Sequence, residues 1–215
     1  MSKTYPHPLI AREGRPAIAA SILLASTLHF LAGAGIAAPF WALALLTLQF
    51  FRDPARPISE KNGTLLAPAD GKITSIDKLI DPYRQQLALR ICIKTGILNI
   101  HSNRSPIDGN IERIEYRSDG NHQTPQATTA PREEHNALLA KTSHGHAFTI
   151  VQRASTLAGR IYCYPRAGDN LKRGQRYGFT SLGAKVDVYL PLDAKVCVSI
   201  GDKVSVTSTI LAELR

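Results

Sequence analysis

The chain has 215 residues, enough for one sizeable domain with an appendage. Lysine and arginine number 26 against 17 aspartate and glutamate residues, so the formal net charge is +9. This balance favours an anionic partner, either nucleic acid or an acidic membrane surface. The sequence shows no stacked-aromatic platform and no recognition-helix pattern, which argues against nucleic acid.

An uncharged run covers residues 16–51, where no Asp, Glu, Lys or Arg occurs. The run is longer than the roughly 20 apolar residues that one membrane helix needs, and Gly33 and Pro39 interrupt it. We predict two short helices, at residues 17–32 and 40–51, that form a hairpin in the membrane. A single tilted span is the alternative.

Basic residues flank both ends of this run: Arg12 and Arg15 precede it, and Arg52 and Arg56 follow it. Cationic flanks favour the cytoplasmic side of a membrane. We therefore expect both ends, and the soluble domain that follows, to face the cytoplasm at the inner membrane. The predicted boundary separates a membrane-anchoring hairpin, residues 1–56, from a β-rich domain, residues 57–215.

From Gly63 onward, short apolar runs alternate with Gly, Pro, Asn and Asp, a pattern typical of β-strands. The predicted strands lie within residues 65–67, 73–76, 87–93, 111–116, 147–152, 186–190, 196–200 and 204–212. The polar stretch 118–135 predicts a mobile loop, and residues 156–162 fit either a short helix or a strand. The fold class predicted is mainly β: a barrel-sandwich-like domain preceded by an N-terminal α-helical membrane hairpin.

Two segments of the β region, residues 67–73 and 199–204, each place a glycine turn before a hydrophobic strand. They predict facing halves of a β-sandwich of the lipoyl-carrier type. The Met-Lys-Met tip that carries lipoate or biotin is missing, so the similarity concerns architecture and not a carrier function.

Cysteine and histidine usage predicts no metal site. The three cysteines, Cys92, Cys163 and Cys197, are widely spaced without a CxxC pair, which favours small core residues in a reducing compartment. His144 and His146 flank a glycine, but no carboxylate or cysteine stands at ligand spacing. A hairpin turn is therefore favoured there over a metal site.

A glycine turn enters a strand at residues 181–191, Ser-Leu-Gly-Ala-Lys-Val-Asp-Val-Tyr-Leu-Pro. Val186, Val188 and Leu190 alternate with polar residues, the period of a half-buried strand. Gly183 precedes the strand, where an unusual backbone conformation costs little. Taken alone, these residues indicate only a turn and a strand.

This stretch resembles the self-processing site of the short bacterial phosphatidylserine decarboxylases, which carry Gly-Ser at the turn. The residues that fit are Gly183, Lys185, Val186, Asp187, Leu190 and Pro191. The string Phe50-Phe51-Arg52-Asp53-Pro54 also resembles a family signature. Ala184 occupies the position of the family's serine.

The resemblance implies a pyruvoyl cofactor made from the chain itself. In the family the serine hydroxyl attacks the carbonyl of the preceding glycine, and elimination from the resulting ester leaves a pyruvoyl group at a new N-terminus. Its ketone forms a Schiff base with the amine of phosphatidylserine and withdraws electrons as carbon dioxide leaves. Alanine has no hydroxyl, so we expect Ala184 to leave the bond after Gly183 intact and the pyruvoyl group absent.

The resemblance also assigns roles to four other residues. Asp70, in Pro68-Ala-Asp-Gly-Lys72, would orient a base during self-cleavage, although Asp-Gly is also a common turn dipeptide. His101 would be the general acid or base, and Arg104 would hold the lipid phosphate or carboxylate. A satisfied loop histidine and a solvated arginine are the plain alternatives. Asn136 lies in a segment that corresponds to a part of the family's site.

Other stretches depart from the family pattern, namely residues 118–135, 153–160 and 180–182. Ser181 is three residues out of register with Ala184 and follows Thr180, so it is a poor replacement nucleophile. Three hypotheses follow: an uncleaved decarboxylase-family chain, a non-catalytic lipid-binding relative, and a membrane-anchored β-sandwich adaptor. The expected partners are phosphatidylserine and an anionic membrane, and the sequence is also compatible with a homo-oligomer.

Overall fold

A computed structural model describes residues 9–61, 63–118, 133–155, 159–181 and 184–214. The chain divides into two compact units. One comprises the described residues up to Ala55, and the other begins at Arg56.

The N-terminal unit consists of a 3-10 helix, η1 (Arg12–Gly14), followed by a helical segment, α1 (Arg15–Phe50). The helical region is long and apolar enough to cross a membrane, which supports membrane association. Within α1, Gly33 has φ 82° and ψ 171°, which are not helical angles. Glycine reaches this region of the backbone map readily because it has no Cβ.

The ends of α1 lie next to each other. The amide of Ala11 donates to the Phe51 carbonyl at 2.8 Å, and the amide of Asp53 donates to the Leu9 carbonyl at 2.7 Å. A straight helix of 36 residues would separate its ends by about 54 Å. The chain therefore reverses at Gly33, as the hairpin prediction requires, and the second helical run begins before residue 40.

The described residues of the second unit form fourteen strands, all in antiparallel pairs. They are β1 (Thr64–Leu66), β2 (Gly71–Asp81), β3 (Gln86–Lys94), β4 (Ser102–Arg104), β5 (Gly109–Ser118), β6 (Glu133–Lys141), β7 (Ala147–Ser155), β8 (Ile161–Cys163), β9 (Asn170–Leu171), β10 (Arg176–Thr180), β11 (Lys185–Leu190), β12 (Lys195–Val196), β13 (Lys203–Val204) and β14 (Ile210–Glu213).

These strands form one large and two small sheets. The large sheet has eight strands in the order β13-β2-β3-β11-β7-β6-β5-β9 and curls into a half-barrel. The small sheets have the orders β1-β14-β12 and β4-β10-β8. The mainly β prediction is therefore confirmed. Segments 67–73 and 199–204 do not face each other across a sandwich, because β13 pairs directly with β2 in the large sheet.

The core lies on one face of the large sheet. Successive residues of a strand point to opposite faces, so Val186, Val188 and Leu190 of β11 enter the core, where each is at most 1% exposed. The opposite face carries a smaller apolar cluster that includes Tyr189 and Val151. The alternation predicted for residues 186–190 is thus confirmed, with β11 between β3 and β7.

Several predictions were wrong in detail. Residues 133–135, assigned to a loop, belong to β6, a central strand of the large sheet, and the rest of that loop lies outside the described residues. The run 204–212 is divided between β13 and β14. Cys197 is exposed and does not pack in a core. The turn predicted at His144 and His146 is confirmed, because Lys141 and Ala147 pair across it.

Candidate active site

Ala184 lies immediately before β11 and is 2% exposed. Its carbonyl oxygen accepts a hydrogen bond from the Thr95 amide at 3.0 Å. Lys185, the first residue of β11, pairs with Lys94 of β3 and Arg153 of β7. The strand pairing and this bond fix the main chain on the C-terminal side of the predicted cleavage point. Gly183 lies outside the described residues.

His101 lies just before β4 and is 2% exposed. Its Nδ1 is 3.1 Å from the Thr180 carbonyl oxygen, and its Nε2 is 3.1 Å from the Ile97 carbonyl oxygen. Burial lowers the pKa of His101, and the two carbonyl contacts and the charge of Asp70 oppose that shift. The imidazole is therefore mainly neutral near pH 7 and is able to accept a proton. A neutral ring has one N–H, so it donates to only one of these two carbonyl oxygens, and its other nitrogen keeps a lone pair. The acid or base role of His101 stays a prediction.

Asp70 is 8% exposed and is held from two sides. One carboxylate oxygen accepts the Val206 amide at 2.7 Å, and the other lies 3.4 Å from the Arg56 guanidinium. Gly71, the next residue, fits only without a side chain, because a Cβ there would lie 2.4 Å from the Lys94 carbonyl oxygen. The Asp-Gly pair thus places a carboxylate next to the point where the main chain of β2 comes close to that of β3.

A cavity of about 480 Å³ lies beside Asp70. Its lining residues are Asp70, Gly71, Lys72, Thr74, Lys94, Thr95, Gly96, Asn99, Lys203, Val204 and Ser205. Thr95, whose amide holds Ala184, therefore shares the cavity with Asp70. Its volume falls in the range of natural small-ligand sites.

Behind the histidine lies a buried network of polar side chains. Asn136 donates to Gln152 Oε1 at 3.0 Å, and Gln152 Nε2 donates to Asn103 Oδ1 at 2.8 Å. The Thr180 hydroxyl donates to the same Asn103 oxygen at 2.7 Å. Thr180 also contacts His101 through its carbonyl oxygen. The network therefore links Asn136, through Gln152 and Asn103, to Thr180, the residue that contacts the histidine.

Sequence reasoning named Asn136 but missed Gln152, Asn103 and Thr180. The available signal was Gln152, a polar residue at the end of an apolar strand run, which is 0% exposed. A buried amide of this kind needs partners, so it marks a polar network even before the partners are known.

Arg104 is 1% exposed, and its amide donates to the Pro68 carbonyl at 2.9 Å. The alternative of a solvated arginine is therefore wrong, while the predicted contact with a lipid phosphate or carboxylate stays a prediction. The Ser181 hydroxyl accepts the Arg160 amide at 2.5 Å, so this serine is tied to the neighbouring segment.

Comparison with known proteins identifies the class of protein to which this scaffold belongs. The sequence profile described as phosphatidylserine decarboxylase matches residues 43–212. The chain belongs to the phosphatidylserine decarboxylase family, as the sequence resemblance predicted.

Its relatives include proteins named phosphatidylserine decarboxylase proenzyme. The protein from Paraburkholderia phymatum is 49% identical over 210 residues, covering 98% of this chain and 99% of the relative. The protein from Paraburkholderia xenovorans is 48% identical with the same coverage, and one from Burkholderia pseudomallei is 47% identical over 98% of this chain and 97% of its own length. No solved structure matches.

The family is pyruvoyl-dependent. That Ala184, a buried residue without a hydroxyl, occupies the position where the group would form stays a prediction. Among the described residues, no group of three or more His, Cys, Asp and Glu side chains is arranged to hold a metal ion.

Proposed function

We propose that this protein is a phosphatidylserine decarboxylase-family chain that binds phosphatidylserine at a membrane and stays uncleaved between Gly183 and Ala184. The observation that carries the proposal is Ala184, buried immediately before β11 in a family whose relatives are named proenzymes. A methyl group cannot attack a carbonyl, so the peptide bond survives. Without the ketone the chain has no electron sink for the loss of carbon dioxide.

The surroundings of Ala184 support a site that lacks little besides the hydroxyl. Asp70 shares a cavity with Thr95, and Thr95 holds the Ala184 carbonyl. His101 is buried with a lowered pKa, so it is available to accept a proton near neutral pH. We infer that Asp70 and His101 retain the roles that the family resemblance gives them.

The N-terminal unit supports attachment to the membrane. Main-chain bonds between Leu9 and Asp53 bring its two ends together. If the hairpin enters a bilayer, both ends lie on the same side, and the basic residues Arg12 and Arg52 favour the cytoplasmic side. We therefore place the β unit in the cytoplasm, at the inner membrane.

The test is intact-mass measurement of the full chain and of Ala184→Ser. The chain as encoded should give one mass, and Ala184→Ser should give two fragments separated after Gly183. Ala184→Gly is the matched control, because it changes the same position without adding a hydroxyl, and it should stay intact.

Two results would contradict the proposal. One is a wild-type chain that is naturally split at this bond or that releases carbon dioxide from phosphatidylserine. The other is an Ala184→Ser variant that is folded and still uncleaved, since the remaining residues would then be unable to carry out self-cleavage.

A further inference from the structure

One transverse row of the large sheet is basic on seven neighbouring strands. We call it the basic row, and its members, each paired in register with the next, are Lys203, Lys72, Lys94, Lys185, Arg153, His135 and Arg117. Residues directly opposite one another on neighbouring strands share a face of the sheet. The strand register therefore collects basic groups that lie far apart in the sequence.

The members of the basic row differ in how their charge is compensated. Arg153 lies 3.2 Å from the Asp187 carboxylate, and Arg117 lies 2.9 Å from that of Glu115. Lys72, Lys94 and Lys203, by contrast, are exposed and form no ion pair with any residue that the structure describes. Like charges directly opposite each other destabilise a sheet, so these three lysines impose a cost in the absence of an anion.

The same three lysines line the cavity of about 480 Å³ beside Asp70. Thr95, Ser205 and Asn99, whose side chains carry hydroxyl and amide groups, also line it. The Asp70 carboxylate is already engaged by Arg56 and by the Val206 amide, so its negative charge is partly compensated from the protein side. Three cations with neighbouring hydrogen-bond donors suit a phosphate group, whose oxygens accept several charge-assisted bonds.

We propose that Lys72, Lys94 and Lys203 bind a phosphate group at this cavity. The phosphate belongs either to the diester of a phospholipid headgroup or to a free phosphate ion. In the first case the inference deepens the proposed function, on which it then rests, by naming the residues that hold the phosphate of the lipid. Arg104, predicted for that role, is 1% exposed, whereas the three lysines are open to solvent.

The experiment titrates the full chain, purified in a non-ionic detergent at low salt, with three soluble probes. Glycerophosphoserine carries the phosphodiester of the lipid headgroup, inorganic phosphate represents the free ion, and serine has the amine and carboxylate without phosphate. Isothermal titration calorimetry compares the wild type with the triple variant Lys72→Gln, Lys94→Gln, Lys203→Gln. The control variant Lys78→Gln, Lys172→Gln, Lys195→Gln removes the same charge from exposed positions elsewhere.

We expect the wild type and the control to bind a phosphate-bearing probe, and the triple variant to bind it at least about tenfold more weakly. Lysine-dependent binding of glycerophosphoserine assigns the site to a lipid headgroup. Lysine-dependent binding of inorganic phosphate alone assigns it to the free ion. Equal affinities in the wild type and the triple variant, no binding of either phosphate probe, or serine binding with the same lysine dependence would each overturn the proposal.

The thermal midpoint shows whether the triple variant is folded. Because three mutually repelling charges are removed, its midpoint without ligand should equal or exceed that of the wild type. A ligand that binds the native state raises the midpoint, so adding the probe should stabilise the wild type more than the variant. These measurements do not depend on cleavage, so they remain interpretable whether or not Ala184→Ser is processed.

Discussion

Two neighbouring rows of the large sheet use the same strands in opposite ways. The inner row faces the core and runs through Ile73, Ile93, Val186, Gln152 and Asn136, each at most 3% exposed. The basic row is one residue away along each strand and points to the other face. Neighbouring residues of the same strands therefore belong to different rows. One row is buried and its polar groups bond within the protein, and the other carries exposed cations.

The difference between the rows lies in where their polar groups find partners. In the inner row, Gln152 bonds to Asn136 and Asn103, so its amide is satisfied within the protein. In the basic row, Lys72 and Lys94 are opposite each other without an acidic partner among the described residues. The inner row is suited to orienting His101 through Thr180, whereas the basic row is suited to binding an external anion.

Breaking the inner network should have the largest effect on stability. Gln152→Leu keeps a similar volume but leaves the Asn136 amide without its acceptor and removes a donor from Asn103. Buried groups that lose their partners cost about 1–3 kcal/mol each, so we expect the free energy of unfolding to fall by about 3 kcal/mol. Urea unfolding followed by tyrosine near-ultraviolet circular dichroism measures it, because the single tryptophan, Trp41, lies in α1 and not in the β unit.

Gln86→Leu is the control for this measurement, because Gln86 is an exposed glutamine on β3. A surface change of this kind should alter the free energy of unfolding by no more than about 0.5 kcal/mol. Equal losses in the two variants would show that the inner network contributes nothing specific.

The pH dependence of stability should reveal the buried histidine. Burial lowers the pKa of His101 below its ordinary value of 6.5. As the pH falls below about 6.5, His101 therefore binds a proton more readily in the unfolded chain than in the folded chain. The free energy of unfolding must decrease with falling pH in that window. Urea unfolding at pH 7.5 and 5.5 should show a smaller decrease for His101→Gln than for the wild type.

His144→Gln provides the comparison, since His144 is exposed in the turn between β6 and β7. It should retain the pH dependence of the wild type. If His101→Gln also retained it in full, the burial of His101 would not be the source of the effect.

Much of the fold was predicted from local sequence patterns, because the residues that form one strand or one helix are neighbours in the sequence. The alternation of Val186, Val188 and Leu190 predicted β11, and the uncharged run predicted a helical segment that reverses near Gly33. No strand was predicted over β6, although it is a central strand of the large sheet. Its first residues were assigned to a loop because Glu134 and His135 are polar, and both are only partly buried.

The candidate site also contains parts that could be predicted and parts that could not. Asp70 and His101 were predicted because each lies in a short motif that resembles one of the family. The links between Gln152 and Asn103, and between Lys203 and Lys72, depend on strand pairings between distant parts of the chain. A sequence without its register does not show which residues lie opposite one another, so neither the partners of Gln152 nor the members of the basic row could be predicted.

The smallest effect should come from relieving repulsion in the basic row. Lys94 lies between Lys72 and Lys185 on the neighbouring strands. Lys94→Gln should therefore raise the free energy of unfolding by about 0.5 kcal/mol at low salt, a shift of roughly 1–2 °C in the thermal midpoint. The gain should vanish in 1 M NaCl, where the Debye length is about 3 Å.

Lys78→Gln, whose cross-strand partner is Leu89, should show no such gain at either salt concentration. If Lys94→Gln behaved like Lys78→Gln, the charges of the basic row would already be compensated within the protein. The two rows would then not differ in where they find their partners.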